Sequence, residues 1–91
     1  MLVQEADDRI SGYIEINGNQ LLLLFIAKHA QNLNLATKLL NRVQETLKPE
    51  ELYVHASSAG FQFYDSQGFK PLGDWDQKGG VKFRPLKWQR P

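Results

Sequence analysis

The chain has no cysteine, which removes disulfides, thiolate nucleophiles and cysteine-ligated zinc or iron–sulfur centres together. Histidine is nearly as scarce. His29 and His55 are the only two, and they stand too far apart for a metal-ligand motif, so no metal is expected and the chemistry falls to oxygen and nitrogen groups. Neither sign of charge dominates: the formal net charge is +1, with acids and bases interspersed. That pattern leaves no electrostatic footprint for nucleic acid or an anionic membrane, and neither is expected as a partner. The longest apolar run, Leu21 to Ala27, is far short of the roughly 20 residues that span a bilayer. No basic segment followed by an apolar one opens the sequence. These features predict a soluble, cytoplasmic protein. Repeats, low-complexity tracts and linkers are also missing, so the 91 residues are read as a single domain, 1–91, whose small core would gain from a partner subunit.

What is present alternates between the two structural periods. Leu2 to Glu5 reads as a short extended segment, and Asp7-Asp8-Arg9 as a turn. Ile10, Gly12, Ile14 and Ile16 alternate with Ser11, Tyr13 and Glu15, the pattern of a half-buried strand. Asn17-Gly18 predicts a tight hairpin into the leucine run. With no polar face, that run is expected to be a central strand covered on both sides. Leu35, Ala36, Leu39, Leu40, Val43 and Leu47 then recur at helical spacing, with Asn34 as N-cap and Pro49 as the stop. Leu52 to Ala56 alternates again. Ser57-Ser58 offers cap hydroxyls to a short helix, Ala59 to Gln67, closed by Gly68 and an apolar Phe69. Phe69 to Gly73 and Val81 to Trp88 are expected as strands around a turn at Asp76 to Gly80, with Pro71 and Pro85 marking edges or bulges. The turn from the leucine run into the long helix is a candidate anion site, because the first helical N–H groups lack partners within the helix.

Three stretches resemble the GCN5-related N-acetyltransferases (GNAT), which transfer an acetyl group from acetyl-CoA to an amine. Leu24-Phe25-Ile26-Ala27-Lys28-His29-Ala30-Gln31-Asn32-Leu33-Asn34-Leu35-Ala36 is similar to the family's central strand and phosphate loop. His55-Ala56-Ser57-Ser58-Ala59-Gly60-Phe61-Gln62-Phe63-Tyr64-Asp65-Ser66-Gln67-Gly68-Phe69 resembles the strand and helix ending in Phe-Tyr, three residues, Gly-Phe. Gly79 to Leu86 resembles the closing strand. The resemblance implies an α/β (α+β), acyl-CoA N-acyltransferase-like fold: a mixed, mostly antiparallel sheet with two helices. The family's first strand and first helices have no counterpart before Leu2, so a homodimer or a partner chain is expected to complete the sheet. Asn32 and Asn34 stand where the family often has glycine; asparagine tolerates a left-handed φ better than other non-glycine residues.

The resemblance also implies roles. Main-chain groups of Phe25, Ile26 and Ala27 would hold pantetheine, and Gln31, Asn32, Leu33, Asn34, Leu35, Ala36 and Thr37 the CoA phosphates. Tyr64 occupies the family's general-acid position. Glu15 and His55 are the alternatives for the base, with Tyr13 flanking Glu15. Trp75 and Trp88 read as an aromatic wall or an oligomer contact. The function implied is acetyl-CoA-dependent N-acetylation of an amine acceptor. The alternative is a non-catalytic, acetyltransferase-like binding or regulatory module in which the two asparagines have weakened CoA binding.

Overall fold

A computed structural model describes residues 2–6, 10–28 and 34–91, and the side chains from residue 11 onward within them. The element order is β1 (Leu2–Ala6), β2 (Ile10–Asn17), β3 (Gln20–Ile26), α1 (Leu35–Leu47), β4 (Glu51–Ser57), α2 (Phe61–Ser66), β5 (Lys70–Pro71), β6 (Asp76–Lys78) and β7 (Val81–Gln89). The expected turn at Asp7-Asp8-Arg9 lies outside the described residues. Two compact units divide the chain, residues 1–49 and 50–91.

In the first unit β1, β2 and β3 form an antiparallel meander, and α1 packs across it. Ile14 and Ile16 on β2, Leu21 on β3 and Leu35, Leu39, Leu40 and Val43 on α1 are buried. Each such side chain contributes about 1.5 to 3 kcal/mol relative to exposure. The helix occupies the span its periodicity predicts, although Leu47, the last of the stripe, is exposed. The hairpin turn is displaced by one residue from the Asn17-Gly18 expectation. Asn17 pairs with Gln20, which leaves Gly18-Asn19 as the loop, with a positive φ of 62° at Gly18 alone. Glycine at the first central position is the requirement of a type II′ turn.

The leucine run is not covered on both sides. A bulge opposite Glu15 and Ile16 sets Leu22 out of the ladder. Leu22, Leu23 and Phe25 are 53%, 45% and 42% exposed, whereas Leu21 is buried. The run therefore has one covered face, toward α1, and one open face, where the Phe25 ring packs tilted against Tyr13, centroids 5.2 Å apart at 31°.

In the second unit β7 pairs antiparallel with β4 along its length and with β5 and β6 on its other side. Leu52, Val54 and Ala56 on β4, Tyr64 on α2, Phe69 and Leu86 are buried. Phe69 to Gly73 was expected to run as a strand, but the ladder with β7 takes only Lys70 and Pro71. Asp76 to Lys78 is strand and not turn; the turn is Gly79-Gly80, whose φ values of 59° and 80° fit a two-residue type I′ hairpin. Pro85 does not mark an edge strand. Its carbonyl accepts from Leu72 N–H at 2.8 Å. A strand residue's N–H and C=O point the same way, so the missing donor faces the interruption between β5 and β6 and breaks no ladder bond. At the other end of β4, Lys87 Nζ stands 3.1 Å from Glu51 Oε2. The pairing lowers the Glu51 carboxyl and raises the Lys87 ammonium, the two shifts agreeing in sign.

Candidate active site

The first unit holds two of the expected site segments, the end of β3 and the start of α1. Here β2 and β3 come unusually close. A Cβ on Gly12 would stand 2.8 Å from the Phe25 carbonyl oxygen and about 3 Å from side-chain carbons of Ile26 and Leu35. Glycine inside an alternating strand is the sequence signal for such an approach, though it does not identify Phe25 as the neighbour. Gly12→Ala is expected to lower stability by about 1 to 3 kcal/mol through overpacking against backbone. A denaturant midpoint equal to that of the parent protein would show that the strands simply spread.

Ala27 N–H donates to the Ser11 carbonyl at 2.7 Å, extending the β2–β3 pairing past the strand end. Residues 29–33 lie outside the described residues, and with them Gln31, Asn32 and Leu33 of the expected phosphate loop. Asn34 is described, and it adopts the left-handed conformation, φ 53° and ψ 31°. It occupies the N-cap position, but its side chain makes no capping hydrogen bond, contrary to the expected capping role. Its backbone carbonyl accepts from Lys38 N–H at 3.2 Å. Asparagine here supplies the backbone shape that glycine gives most cheaply. After it Leu35 is buried, Ala36 and Thr37 are half-buried, and no acidic side chain occupies the first turn of α1. The first-turn amides have no carbonyl four residues earlier within the helix to bond, and they carry the positive end of the dipole.

The second unit holds Tyr64 and His55. Helix α2 is shorter than the expected Ala59 to Gln67, and neither serine caps it by its side chain: the N-cap is Gly60. Ser57 Oγ instead accepts from Gly60 N–H at 3.3 Å, so the hydroxyl supports the turn that delivers the helix. The other end follows the sequence closely. Gly68 has φ 92°. Phe69 N–H donates to the Tyr64 carbonyl and Gly68 N–H to the Asp65 carbonyl, at 3.1 and 3.2 Å. This is the Schellman pair, and its accompanying apolar contact is the edge-to-face packing of Phe69 on Tyr64, centroids 5.3 Å apart. Tyr64 is thereby wedged between Phe63 and Phe69. Only 7% of it is exposed. Burial pushes the phenol up to about 12, so it remains protonated throughout the physiological range.

Tyr64 and His55 belong to opposite faces of β4. Arg84 pairs with Ala56 across the ladder, and its guanidinium lies over the Phe61 ring of α2, 5.7 Å from the centroid. Paired residues share a face, so α2 and Tyr64 lie on the Ala56 side. His55 alternates to the other side. There it lines a cavity of about 500 Å³ with Asp74, Asp76, Lys78, Phe83 and Pro85. The sequence named His55 but not Asp74 or Asp76, which a hairpin brings to it from twenty residues away. Glu15 is exposed on β2, paired with Leu23, and belongs to the first unit.

A profile of the acetyltransferase (GNAT) domain matches residues 1–90 of the chain. The chain belongs to the GNAT acetyltransferase family. Among solved structures it is similar to PaiA N-acetyltransferase of Thermoplasma acidophilum in complex with coenzyme A. That match has a TM-score of 0.76 and 23% identity, covering 99% of this chain and 60% of the other. An acetyltransferase from Bacillus cereus aligns with a TM-score of 0.84 at 12% identity over 99% of this chain and 72% of its own. An acyl-CoA N-acyltransferase from Pseudomonas aeruginosa gives 0.80 at 11% identity, over 96% of this chain and 66% of its own. These likenesses establish the acyl-CoA N-acyltransferase-like fold, with its mostly antiparallel sheet and two helices. This GNAT chain spans between three fifths and three quarters of the length of those three relatives. Comparison with curated protein sequences gives no match.

Proposed function

We propose that this GNAT chain binds acetyl-CoA and transfers its acetyl group to an amine. The observation that carries the reading is the left-handed Asn34. The residue standing at a usual glycine position holds the backbone conformation that glycine would give, immediately before the first-turn amides of α1. Leu35, Ala36 and Thr37, with Gln31, Asn32, Leu33 and Asn34 before them, would cradle the pyrophosphate, and the main chain of Phe25, Ile26 and Ala27 would hold pantetheine. The coenzyme A bound by the PaiA relative supports the same choice of cofactor.

The amine nitrogen attacks the thioester carbonyl, the carbon–sulfur bond breaks, and the ammonium proton must leave. The candidates for the base are Glu15, exposed on β2, and His55, which lines the cavity with Asp74 and Asp76 on the face of β4 opposite Tyr64. Tyr64 donates to the sulfur. Complete proton transfer from a phenol at about 12 to a thiolate of ordinary thiol acidity, about 8.5, runs uphill by roughly 5 kcal/mol. Its contribution is therefore a hydrogen bond to the developing sulfur charge, with solvent restoring the thiol proton.

Acetyl-CoA at about 100 times its Kd should stabilise the protein by roughly 2.7 kcal/mol, raising Tm by several degrees. Release of free thiol on adding a primary amine then measures turnover. No Tm shift at millimolar acetyl-CoA would overturn the reading and leave the non-catalytic module. The open apolar face at Leu22, Leu23 and Phe25 supports a homodimer, and native mass measurement should show twice the chain mass.

A further inference from the structure

Trp75 is 37% exposed, yet it is not loosely held. Its backbone N–H donates to Asp74 Oδ1 at 2.7 Å. The indole packs on the Phe61 ring, centroids 5.4 Å apart at 51°. The Arg84 guanidinium lies over the same indole at 5.9 Å and over Phe61 at 5.7 Å. Arg84 is in turn fixed by its Nε, which donates to the Gly73 carbonyl at 2.9 Å. An aromatic ring that keeps a third of its surface in water while being clamped through its neighbours has already lost the freedom that ligand binding would otherwise take from it.

The free part of the indole opens on a second cavity, of about 530 Å³, lined by Ser58, Trp75, Asp76, Gln77 and Lys82. Gln77 and Lys82 face each other across the β6–β7 ladder. The volume falls in the range of small-ligand sites. The rim offers a carboxamide that both donates and accepts, a hydroxyl that does the same, one ammonium donor and one carboxylate acceptor. Its two formal charges cancel, so it selects for neither anions nor cations. It matches the edge of a flat, neutral heterocycle that carries donors and acceptors together.

The geometry points to a binding site for a heteroaromatic ring with the size and edge chemistry of a nucleobase, stacked on Trp75. A base stacked on an aromatic side chain gains about 1 to 3 kcal/mol, and the rim adds hydrogen bonds. Such a ring could belong to a free nucleoside or to the adenine of a coenzyme.

The two tryptophans, Trp75 and Trp88, make the test direct. In Trp88→Phe, Trp75 is the sole tryptophan, and titration with adenosine should quench its emission saturably, half-complete at or below about 1 mM. Gln77→Leu should raise that concentration about fivefold, the effect of one lost hydrogen bond. Trp75→Phe, which keeps Trp88, should show no quench. Equilibrium dialysis of labelled adenosine against the unmodified protein and Trp75→Ala gives the same answer if Trp88→Phe does not fold. Binding abolished by saturating acetyl-CoA would assign the ring to the coenzyme, and binding that persists beside it would assign a separate nucleoside; both support the site. The readout does not depend on acetyl transfer, so it separates this inference from the proposed activity. Flat titrations to about 5 mM adenosine, or equal binding by Trp75→Ala, would overturn it.

Discussion

Phe69→Ala is expected to destabilise the protein by about 3 to 5 kcal/mol, the cost of truncating a fully buried phenylalanine together with the cavity it leaves. Phe69 has no exposed surface. It also does two things at once: its backbone N–H closes the Schellman pair on the Tyr64 carbonyl, and its ring backs the Tyr64 ring. Alanine retains the first and removes the second. Small domains have about 5 to 15 kcal/mol in all, so Tm should fall by more than about 10 °C. Phe69→Leu, which keeps most of the volume, should lose clearly less. A denaturant-derived loss below about 1 kcal/mol for the alanine variant would mean that the second unit does not depend on this residue.

Tyr64→Phe should leave the fold intact and lower turnover about 10- to 100-fold, the worth of a hydrogen bond to a developing charge. The aromatic contacts to Phe63 and Phe69 survive the change, since only the hydroxyl is lost. The acetyl-CoA Tm shift should therefore be preserved while thiol release slows. Alkaline stability offers an independent readout. With the folded phenol at about 12 and the unfolded one near 10, the unfolded chain holds fewer protons in that interval. Stability is unaffected below pH 10 and falls as pH rises toward 12 by something of order 2 to 3 kcal/mol. The phenylalanine variant lacks this loss, so its stability profile should be flatter there. Parallel profiles would show that Tyr64 is no more buried than an ordinary surface tyrosine, and unchanged turnover would remove it from the reaction.

Where local chemistry decides the structure, the sequence was readable. The span of α1 followed from its stripe and Pro49, and the end of α2 from Gly68-Phe69, because each depends on groups a few residues apart. What failed was decided at longer range. The leucine run carries no mark of the bulge that turns Leu22 outward. The brevity of β5 and the strand character of Asp76 to Lys78 were set by pairing with β7 and not by their own composition. The candidate site divides the same way: Tyr64 could be named from a motif and His55 as one of two alternatives for the base, but the clamp of Arg84 on Phe61 and Trp75, and the carboxylates beside His55, come from ladder register. The Gly12 approach was visible as a glycine in a strand, but its neighbour Phe25 was not.

The arrangement around β7 bears on how the protein is made. This strand is the shared partner of β4, β5 and β6, yet it is synthesised after all three. On the ribosome, the meander of β1 to β3 and its helix can assemble while the rest is still being translated, whereas the strands of the second unit must wait for residues 81–89 before that ladder can close. During that interval Leu52, Val54 and Phe69 are without Leu86. Production of the protein in a cell should therefore be most sensitive to early termination, slow translation or chaperone shortage over residues 81–89.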